Sequence, residues 1–264
     1  MTSERWVEGV CEKRLVFDVG ITPMTMAEAV ETVLDAARSH RSFGLSALAV
    51  HGLIEAVEHR DVRIAVNSLD LVVPDGQPVR WALRLLHRIQ LPDRVYGPDL
   101  MRNLCGRAAS EGIGVYLFGS TPNTCARLAR SLEGGFPGIR IVDVQPDRFR
   151  EASPEEDLAD IDRMNRSGAG IVFVGRGCPW QEKWVASHLG QVWAPMVAVG
   201  AAFDFLSGEK AQAPRWMQDY GLEWLFRLVQ EPRRLWRRYL ITNSYFIFYL
   251  VRALMRKLLL DRRA

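Results

Sequence analysis

Short apolar runs alternate along the chain with longer segments in which apolar residues recur every three or four positions. The short runs predict buried β-strands, and the longer segments predict amphipathic helices. Because strands that are apolar throughout need cover on both faces, the alternation predicts a Rossmann-like, doubly wound and mostly parallel α/β fold. The predicted strands are LSALAV (45–50), LDLVVP (69–74), GVYLFG (114–119), IRIVDV (139–144), GAGIVFVG (168–175) and PMVAVGAAFDF (195–205).

The residues that follow these strands are the candidates for ligand binding, because open parallel sheets bind ligands beyond the carboxyl ends of their strands. Glycine lets the backbone approach a ligand closely, and helix amino termini offer free N–H groups to phosphate. Each such glycine alone also serves simple chain reversal, but several together indicate a nucleotide-like ligand. The candidates are Asp75, Gly76, Gly119, Ser120, Thr121, Gly175, Gly177 and Gly200.

Two common nucleotide-binding classes lack their signatures in this sequence. A dinucleotide-binding dehydrogenase would carry GxGxxG after the first strand, where the chain has VHGLIEA (50–56) instead. The GRG at 175–177 comes too late in the chain and has no third glycine. A Walker A sequence is also absent, so a P-loop kinase or ATPase is disfavoured.

The net charge of +3 is divided unevenly along the chain. Ten Lys/Arg and three Asp/Glu give +7 to residues 223–264, which leaves −4 for residues 1–222. A positive tail on a mildly acidic body predicts an anionic partner for the tail, and we assign that partner as a membrane surface and not as nucleic acid.

The four cysteines are widely spaced, which fits a reducing cytosol better than a disulfide framework or a zinc site. They are Cys11, Cys105, Cys125 and Cys178.

The terminal segment LITNSYFIFYLVRALMRKLLLDRR (240–263) is apolar and aromatic, but polar residues interrupt it. Its uncharged runs are too short to cross a bilayer easily. Interleaved aromatic and cationic side chains are typical of a helix that lies in the interface of an anionic membrane. A helix that packs on a second copy of the chain in a homo-oligomer is the alternative. The amino terminus shows no secretory signal.

Seven blocks at the strand ends and in the tail appear in the order found in one known family. Together they resemble the WecG/TagA/CpsF glycosyltransferases (glycosyltransferase family 26), within them the GumM-like xanthan glucosyltransferase branch. Two positions depart from the family pattern, since Ala49 stands in place of an asparagine and Trp180 in place of a lysine. The blocks are VVPDG (72–76), DRVYGPDL (93–100), LFGSTP (117–122), GRGCPWQE (175–182), VGAAFDFLSG (199–208), AP-W (213–216) and GLEWLFRL–EPRR–RRY (221–239).

The resemblance implies transfer of a sugar from a UDP-sugar donor to a polyprenyl-diphosphate-linked sugar at the inner membrane face. It also implies an inverting reaction that needs no metal and no cofactor. Inverting transfer needs one base for the acceptor hydroxyl, and we assign Asp75 to it; a helix cap or Asp-Gly turn is the alternative. Gln181 is then a contact to uracil or sugar. His51 contacts the acceptor or bonds an interior carbonyl, and Glu182 contacts substrate or is an ordinary first-turn acid.

Arginines in the tail are assigned to the UDP leaving group, whose negative charge grows as the glycosidic bond breaks. On one continuous helix, Arg227, Arg234 and Arg237 would share a face, although Pro232 would kink or restart that helix. A solvated basic face against anionic lipid is the alternative. Arg233 and Arg238 are expected to face lipid headgroups.

We therefore expect a catalytic domain at 1–205 and a helical appendage at 206–264 that completes the active site and associates with the membrane. The expected activity is hexose transfer, with glucose favoured, in exopolysaccharide or cell-surface glycan biosynthesis. Transfer of N-acetylmannosamine or its uronic acid is one alternative. A non-catalytic nucleotide-binding membrane adaptor is the other. The expected location is cytoplasmic and peripheral, on the inner face of the cell membrane.

Overall fold

The computed structural model describes residues 12–261. The strands in this range are β1 (Arg14–Val16), β2 (Val19–Ile21), β3 (Phe43–Leu48), β4 (Leu71–Pro74), β5 (Gly114–Gly119), β6 (Arg140–Gln145), β7 (Ile171–Gly175) and β8 (Pro195–Ala198). The helices are α1 (Met26–Arg38), α2 (Val50–Glu58), α3 (Arg60–Ser68), α4 (Gln77–His87), α5 (Gly97–Glu111), α6 (Pro122–Gly135), α7 (Pro154–Arg166), α8 (Trp180–Ser187), α9 (Ala202–Leu206), α10 (Arg215–Asp219), α11 (Glu223–Gln230) and α12 (Pro232–Asp261).

Six of the strands form one parallel sheet in the order β4-β3-β8-β7-β5-β6. Helices cover both faces, which confirms the predicted Rossmann-like α/β fold. Successive side chains of β7 show why its sequence is apolar throughout. Ile171 and Phe173 enter one hydrophobic core, whereas Val172 and Val174 enter the other, and all four are buried.

The two cores take their helices from different parts of the chain. Helices α1, α5, α6 and α9 supply one core, and α2, α3, α4, α7 and α8 supply the other. Helix α12 adds Phe246 to the second core, where its ring meets Phe17 edge to face at 5.6 Å between centroids. The appendage is thereby attached to the body through one face of the sheet.

Several elements differ from the sequence prediction. The apolar run at 195–205 is a strand that ends at Ala198 and a short helix, α9, separated by Gly200 at φ +50°. The helical pattern around residues 55–68 is two helices, α2 and α3, that break at His59. The β1–β2 hairpin and α1 carried no prediction, although Thr25 and Glu28 form a capping box at the start of α1.

The C-terminal segment is helical but breaks between α11 and α12, because Pro232 starts a new helix. No residue of α10 or α11 is fully buried, and α12 exposes a series of large apolar side chains. Within residues 12–261, no helix is both long enough and apolar enough to span a bilayer. Cys105, Cys125 and Cys178 are free thiols, while Cys11 lies outside the described residues.

Candidate active site

A cleft of about 490 Å³ lies over the carboxyl ends of the central strands. Residues that follow β3, β4, β5, β7 and β8 form its floor, and α11 and α12 contribute to its wall. This is where a parallel sheet leaves backbone groups free for a ligand. The cleft therefore joins the body and the appendage in one site.

A smaller cavity of about 120 Å³ adjoins the cleft on the side of β4, the edge strand of the sheet. The start of α4 and residues of α11 and α12 line this cavity. Six residues line both spaces, so the two meet along a shared wall. They are Ala49, His51, Asp75, Glu223, Arg227 and Arg238.

Asp75 lies on that shared wall, directly after β4. Its Oδ1 accepts a hydrogen bond of 2.9 Å from the backbone N–H of Gly97, which fixes the carboxyl group. Burial raises the pKa of Asp75 to about 6, while Arg94 opposes this shift and Glu223 adds to it. At pH 7 the group is mostly ionised but close to its pKa, which suits a general base.

Three side chains behind Asp75 form a polar cluster that ties the body to the appendage. Arg94 donates to an oxygen of Glu223 at 2.9 Å, and the Tyr96 hydroxyl donates to the other oxygen at 2.8 Å. The Arg94 guanidinium also lies 4.1 Å from the centre of the Tyr96 ring. The neighbouring Asp93 does not pair with the Arg94 guanidinium but accepts a hydrogen bond from the Arg94 backbone N–H at 2.7 Å.

The floor of the cleft holds a buried carboxyl group, Glu182, which is only 1% exposed. Its Oε1 accepts from Ser46 at 3.0 Å and from Gln181 at 2.9 Å. Burial raises the pKa of Glu182, which favours its protonated form. Its Oε2 and the Gln181 Oε1 are buried without a hydrogen-bond partner, so both are available to a ligand. Glu182 is therefore a first-turn residue of α8 that faces a ligand space.

His51 lies one position into α2, on the wall between the two cavities. Burial and the nearby charge of Arg238 lower its pKa to about 3, so the imidazole is neutral at physiological pH. Its Nδ1 is buried and lacks a hydrogen-bond partner. A neutral ring with an unpaired nitrogen is compatible with a contact to a substrate hydroxyl, which stays a prediction, but it adds no positive charge to the site.

The tail arginines divide in an unexpected way. Arg227 and Arg234 line the cleft, and Arg234 is paired with Glu231. Arg234 and Arg237 are both exposed, but Arg237 lines neither cavity. Arg238, expected at the lipid headgroups, is instead largely buried and lines both, and its Nε has no partner. The prediction of one helical face fails within α12 itself, since Arg234 and Arg237 share this helix and only Arg234 lines the cleft. The side of α12 that meets the cleft carries Arg234 and Arg238, which are four residues apart.

The glycines at the strand ends have different tasks. A side chain on Gly119, at φ +121°, would lie 2.6 Å from the carbonyl carbon of Gly175. A side chain on Gly175 would meet the Phe203 ring at the same distance. These two glycines allow strand ends and α9 to pack closely, and Gly119 does not line the cleft. Gly76 lines the smaller cavity. The other predicted positions that line the cleft are Ser120, Thr121, Gly177, Gln181 and Gly200.

Residues that the sequence did not single out complete the site. Arg176 lines the cleft and is held by two hydrogen bonds of 3.0 Å to Asp147. Lys210 also lines it, paired with Asp204 at 2.7 Å. Arg176 lies inside the block GRGCPWQE and directly follows β7, so its position in the sequence could have identified it as a candidate site residue. Arg238 stands four residues after Arg234, the spacing of one helical face once α12 is counted from Pro232.

The arrangement can bind an anionic ligand and move a proton beside it. Arg227, Arg234 and Arg238 supply positive charge, and Asp75 supplies a base at the wall between two ligand-sized spaces. Among residues 12–261, no group of three or more His, Cys, Asp or Glu side chains is placed to hold a metal ion.

The sequence was also compared with models of known protein families. The model of the glycosyl transferase WecG/TagA/CpsF family matches residues 14–259. This match covers both the sheet and the helical appendage, and hence every side chain described above. The chain belongs to the WecG/TagA/CpsF family of glycosyltransferases.

Proposed function

We propose that this glycosyltransferase moves a hexose, with glucose favoured, from a UDP-sugar to a polyprenyl-diphosphate-linked sugar, in exopolysaccharide or cell-surface glycan biosynthesis. The observation that carries the proposal is the position of Asp75, a carboxyl group with a pKa of about 6, beside Arg227 and Arg238 where two cavities meet. A base and fixed cations are the two things that sugar transfer from a nucleotide needs.

In this reaction a hydroxyl oxygen of the acceptor sugar attacks the anomeric carbon of the donor sugar. A new C–O bond forms while the bond from that carbon to the diphosphate oxygen breaks, and UDP leaves with the electron pair. Asp75 takes the hydroxyl proton and becomes a neutral acid. Inversion of the anomeric configuration requires that the acceptor hydroxyl, with Asp75 beside it, approach the face of the donor sugar opposite to the leaving UDP.

The arginines stabilise the departing UDP in this proposal. A guanidinium binds phosphate oxygens through parallel N–H donors, and in a partly buried site its charge is less screened than in water. Arg238 is the strongest candidate, since it is buried and its Nε has no partner. Arg227, held 5.5 Å from the centre of the Phe205 ring, and Arg234 complete the set. We propose that these cations replace a metal ion.

The acceptor lipid defines the proposed location, which is the inner face of the cell membrane, with the protein bound peripherally. Helix α12 supplies the contact surface. Its exposed apolar side chains include Leu240, Ile247, Phe248, Val251, Met255, Leu258, Leu259 and Leu260. Arg252 and Arg256 lie among them and suit anionic headgroups, whereas Lys257 donates to the backbone carbonyl of Leu86 in the body at 2.6 Å. A helix of this kind lies along the interface and does not cross it.

The activity is tested by screening radiolabelled UDP-sugars against a synthetic polyprenyl-diphosphate-glucose acceptor, with and without EDTA. We expect transfer from UDP-glucose that persists in EDTA. Transfer from UDP-N-acetylmannosamine or its uronic acid instead would replace the donor but keep the reaction. Transfer from no donor, together with tight UDP binding, would favour a non-catalytic nucleotide-binding adaptor.

The membrane contact is tested on vesicles of phosphatidylglycerol and phosphatidylcholine. Replacing Leu258, Leu259 and Leu260 with serine should release the protein from the vesicles and leave transfer to a short, water-soluble acceptor unchanged. The control is Ile64→Ser, which removes an exposed apolar side chain from α3 in the body. Equal vesicle binding by the triple variant and the control would refute α12 as the membrane contact.

A further inference from the structure

The smaller cavity has a composition different from that of the cleft beside it. Trp224 and Tyr239 supply aromatic surface, with ring centroids 5.9 Å apart, and Gln77, Thr242 and Asn243 supply polar side chains. Aromatic rings pack against the C–H face of a sugar ring, and amide and hydroxyl groups bond its hydroxyls. The residues that follow β5, and the strand-end glycines at β7 and β8, line only the larger cleft; they are Ser120, Thr121, Gly175, Gly177 and Gly200.

From this difference we infer that the smaller cavity is the subsite for the acceptor's sugar ring, while the larger cleft holds the UDP-sugar. The inference rests on the proposed function and adds to it the side chains that select the acceptor. A space of about 120 Å³ holds a single ring but not a nucleoside diphosphate, whereas about 490 Å³ suits the larger ligand.

The shared wall explains how the two subsites would cooperate. Asp75 borders both spaces, so it can reach a hydroxyl of a ring in the smaller cavity while the anomeric carbon lies in the cleft. The acceptor oxygen then bonds to that carbon, its proton passes to Asp75, and UDP leaves into the cleft with the electron pair. His51 Nδ1 and Arg238 Nε are buried on the same wall without partners, and each is available to a substrate oxygen or hydroxyl.

In this arrangement Asn243 provides a polar contact for the acceptor's sugar ring. It interrupts the apolar and aromatic sequence of α12, where an amide weakens membrane contact. Its neighbours Ser244 and Tyr245 are exposed, but Asn243 is half-buried and lines the smaller cavity. The same helix thus provides a polar contact for the acceptor's sugar and, further along, exposed apolar positions for its lipid.

The test compares Asn243→Ala with Ser244→Ala, an exposed position next to it on the same helix. Initial rates are measured with UDP-glucose and farnesyl-diphosphate-linked glucose, varying each substrate in turn. Asn243→Ala and Trp224→Ala should raise the acceptor KM at least tenfold and leave the donor KM within twofold. Ser244→Ala should change neither. Gln181→Ala, in the cleft, should show the opposite pattern and raise the donor KM.

A rise in donor KM for Asn243→Ala and Trp224→Ala, with acceptor KM unchanged, would overturn the inference, because the smaller cavity would then hold part of the donor. The proposed function would survive that result. Equal kinetics for Asn243→Ala, Trp224→Ala and Ser244→Ala would also overturn it.

A second measurement does not depend on turnover. Binding of farnesyl-diphosphate-linked glucose is followed by calorimetry in the presence of UDP, and Asn243→Ala should weaken it at least tenfold relative to Ser244→Ala. If the wild-type protein binds the compound but transfers no sugar, and Asn243→Ala binds it more weakly than Ser244→Ala, the proposed function fails and the subsite stands. If the wild-type protein does not bind the compound, or both variants bind it equally, the subsite is refuted.

Discussion

The sheet and the C-terminal helices differ in how many of their residues are buried. Every residue of β4, β5 and β8 is buried, and hydrophobic cores lie on both faces of the sheet. Helices α10 and α11 have no fully buried residue, and α12 buries little beyond Leu235, Thr242 and Phe246. Burial of apolar surface therefore stabilises the body, whereas the appendage is held by a small number of contacts.

One of those contacts also lies beside the candidate active site. Phe246 packs on Phe17 and neither ring lines a cavity of the site, whereas Glu223 joins the buried Arg94 and Tyr96 next to Asp75. In the proposed mechanism the body provides the base and the ligand floor, and the appendage provides the cations. Substitutions in the body should therefore change the stability of the fold, whereas sugar transfer should require both the body and the appendage.

The largest effect is expected from removing the appendage. A chain that ends before Leu222 lacks Glu223, Arg227 and Arg238, so UDP should bind weakly and transfer should fall to background. The sheet should persist, as shown by circular dichroism and a cooperative thermal transition. A chain that ends after Leu250 keeps all cleft residues and Phe246, and it should retain transfer to a soluble acceptor. Substantial transfer by the shorter chain would show that the body is sufficient.

Loss of the base should have the next largest effect. Asp75→Asn keeps the size of the side chain and its acceptor for Gly97 N–H but cannot take a proton. We expect kcat to fall by about 10²–10⁴-fold, the usual contribution of general base catalysis. UDP affinity, measured by calorimetry, should change little. Near-normal turnover in a folded Asp75→Asn protein would remove Asp75 from the mechanism.

Adjacent arginines on α12 provide a matched pair. Arg238→Ala removes a buried cation from the wall of both cavities, and kcat should fall by about 10–10³-fold, comparable to loss of one charge-stabilising donor. Arg237→Ala makes the same change in net charge at an exposed position and should stay within twofold of wild type. Equal losses for the two variants would mean that the arginines act only through overall charge, for example at the membrane.

A smaller effect is expected from breaking the contact between Glu223 of the appendage and Arg94 of the body. Glu223→Gln leaves the buried Arg94 guanidinium without its carboxylate, which costs about 3–5 kcal/mol for a broken buried pair. The loss should appear mainly as faster hydrogen exchange in α11 and α12, with the sheet protected as before. Arg102→Ala, at an exposed position on α5, serves as the control. Uniform destabilisation of the sheet and the appendage would contradict their separate stabilities.

The smallest effect concerns stability and pH. Burial raises the pKa of Asp75 from 3.8 to about 6, so the folded state binds this proton more tightly than the unfolded state. The resulting stabilisation is present below about pH 4 and is lost as pH rises through 6. At pH 7, Asp75→Asn should therefore be more stable than wild type by about 1–3 kcal/mol. Urea denaturation at pH 7 and pH 4 measures the difference, which should close at the lower pH.

The same pKa predicts the rate profile of the wild-type protein. Its kcat/KM should fall as pH drops below about 6, because the protonated carboxyl cannot accept the hydroxyl proton. A kcat/KM that stays flat down to pH 4.5 would mean that another group is the base.

The hydrophobic pattern along the chain was enough to predict the parallel sheet and the positions from which a site could be built. Strands such as β7 are apolar at every position, and that pattern fits only a sheet covered on both sides. Asp75 was singled out because the ends of parallel strands meet at one edge, whereas Gln181 and Glu182 were singled out from the family resemblance. The β1–β2 hairpin was missed, since strands of three residues carry too little pattern to detect.

Which arginine enters the site and which faces solvent depends on how the helices pack. Arg237 and Arg238 are neighbours of the same type, and their environments depend on the angle at which α12 leaves Pro232 and packs through Phe246. The division of the site into two cavities is likewise invisible in the sequence, because its wall joins residues from β4, α2, α11 and α12. The local hydrophobic pattern predicts the strands and helices and roughly where they end, whereas side chains far apart in the chain are brought together only by packing.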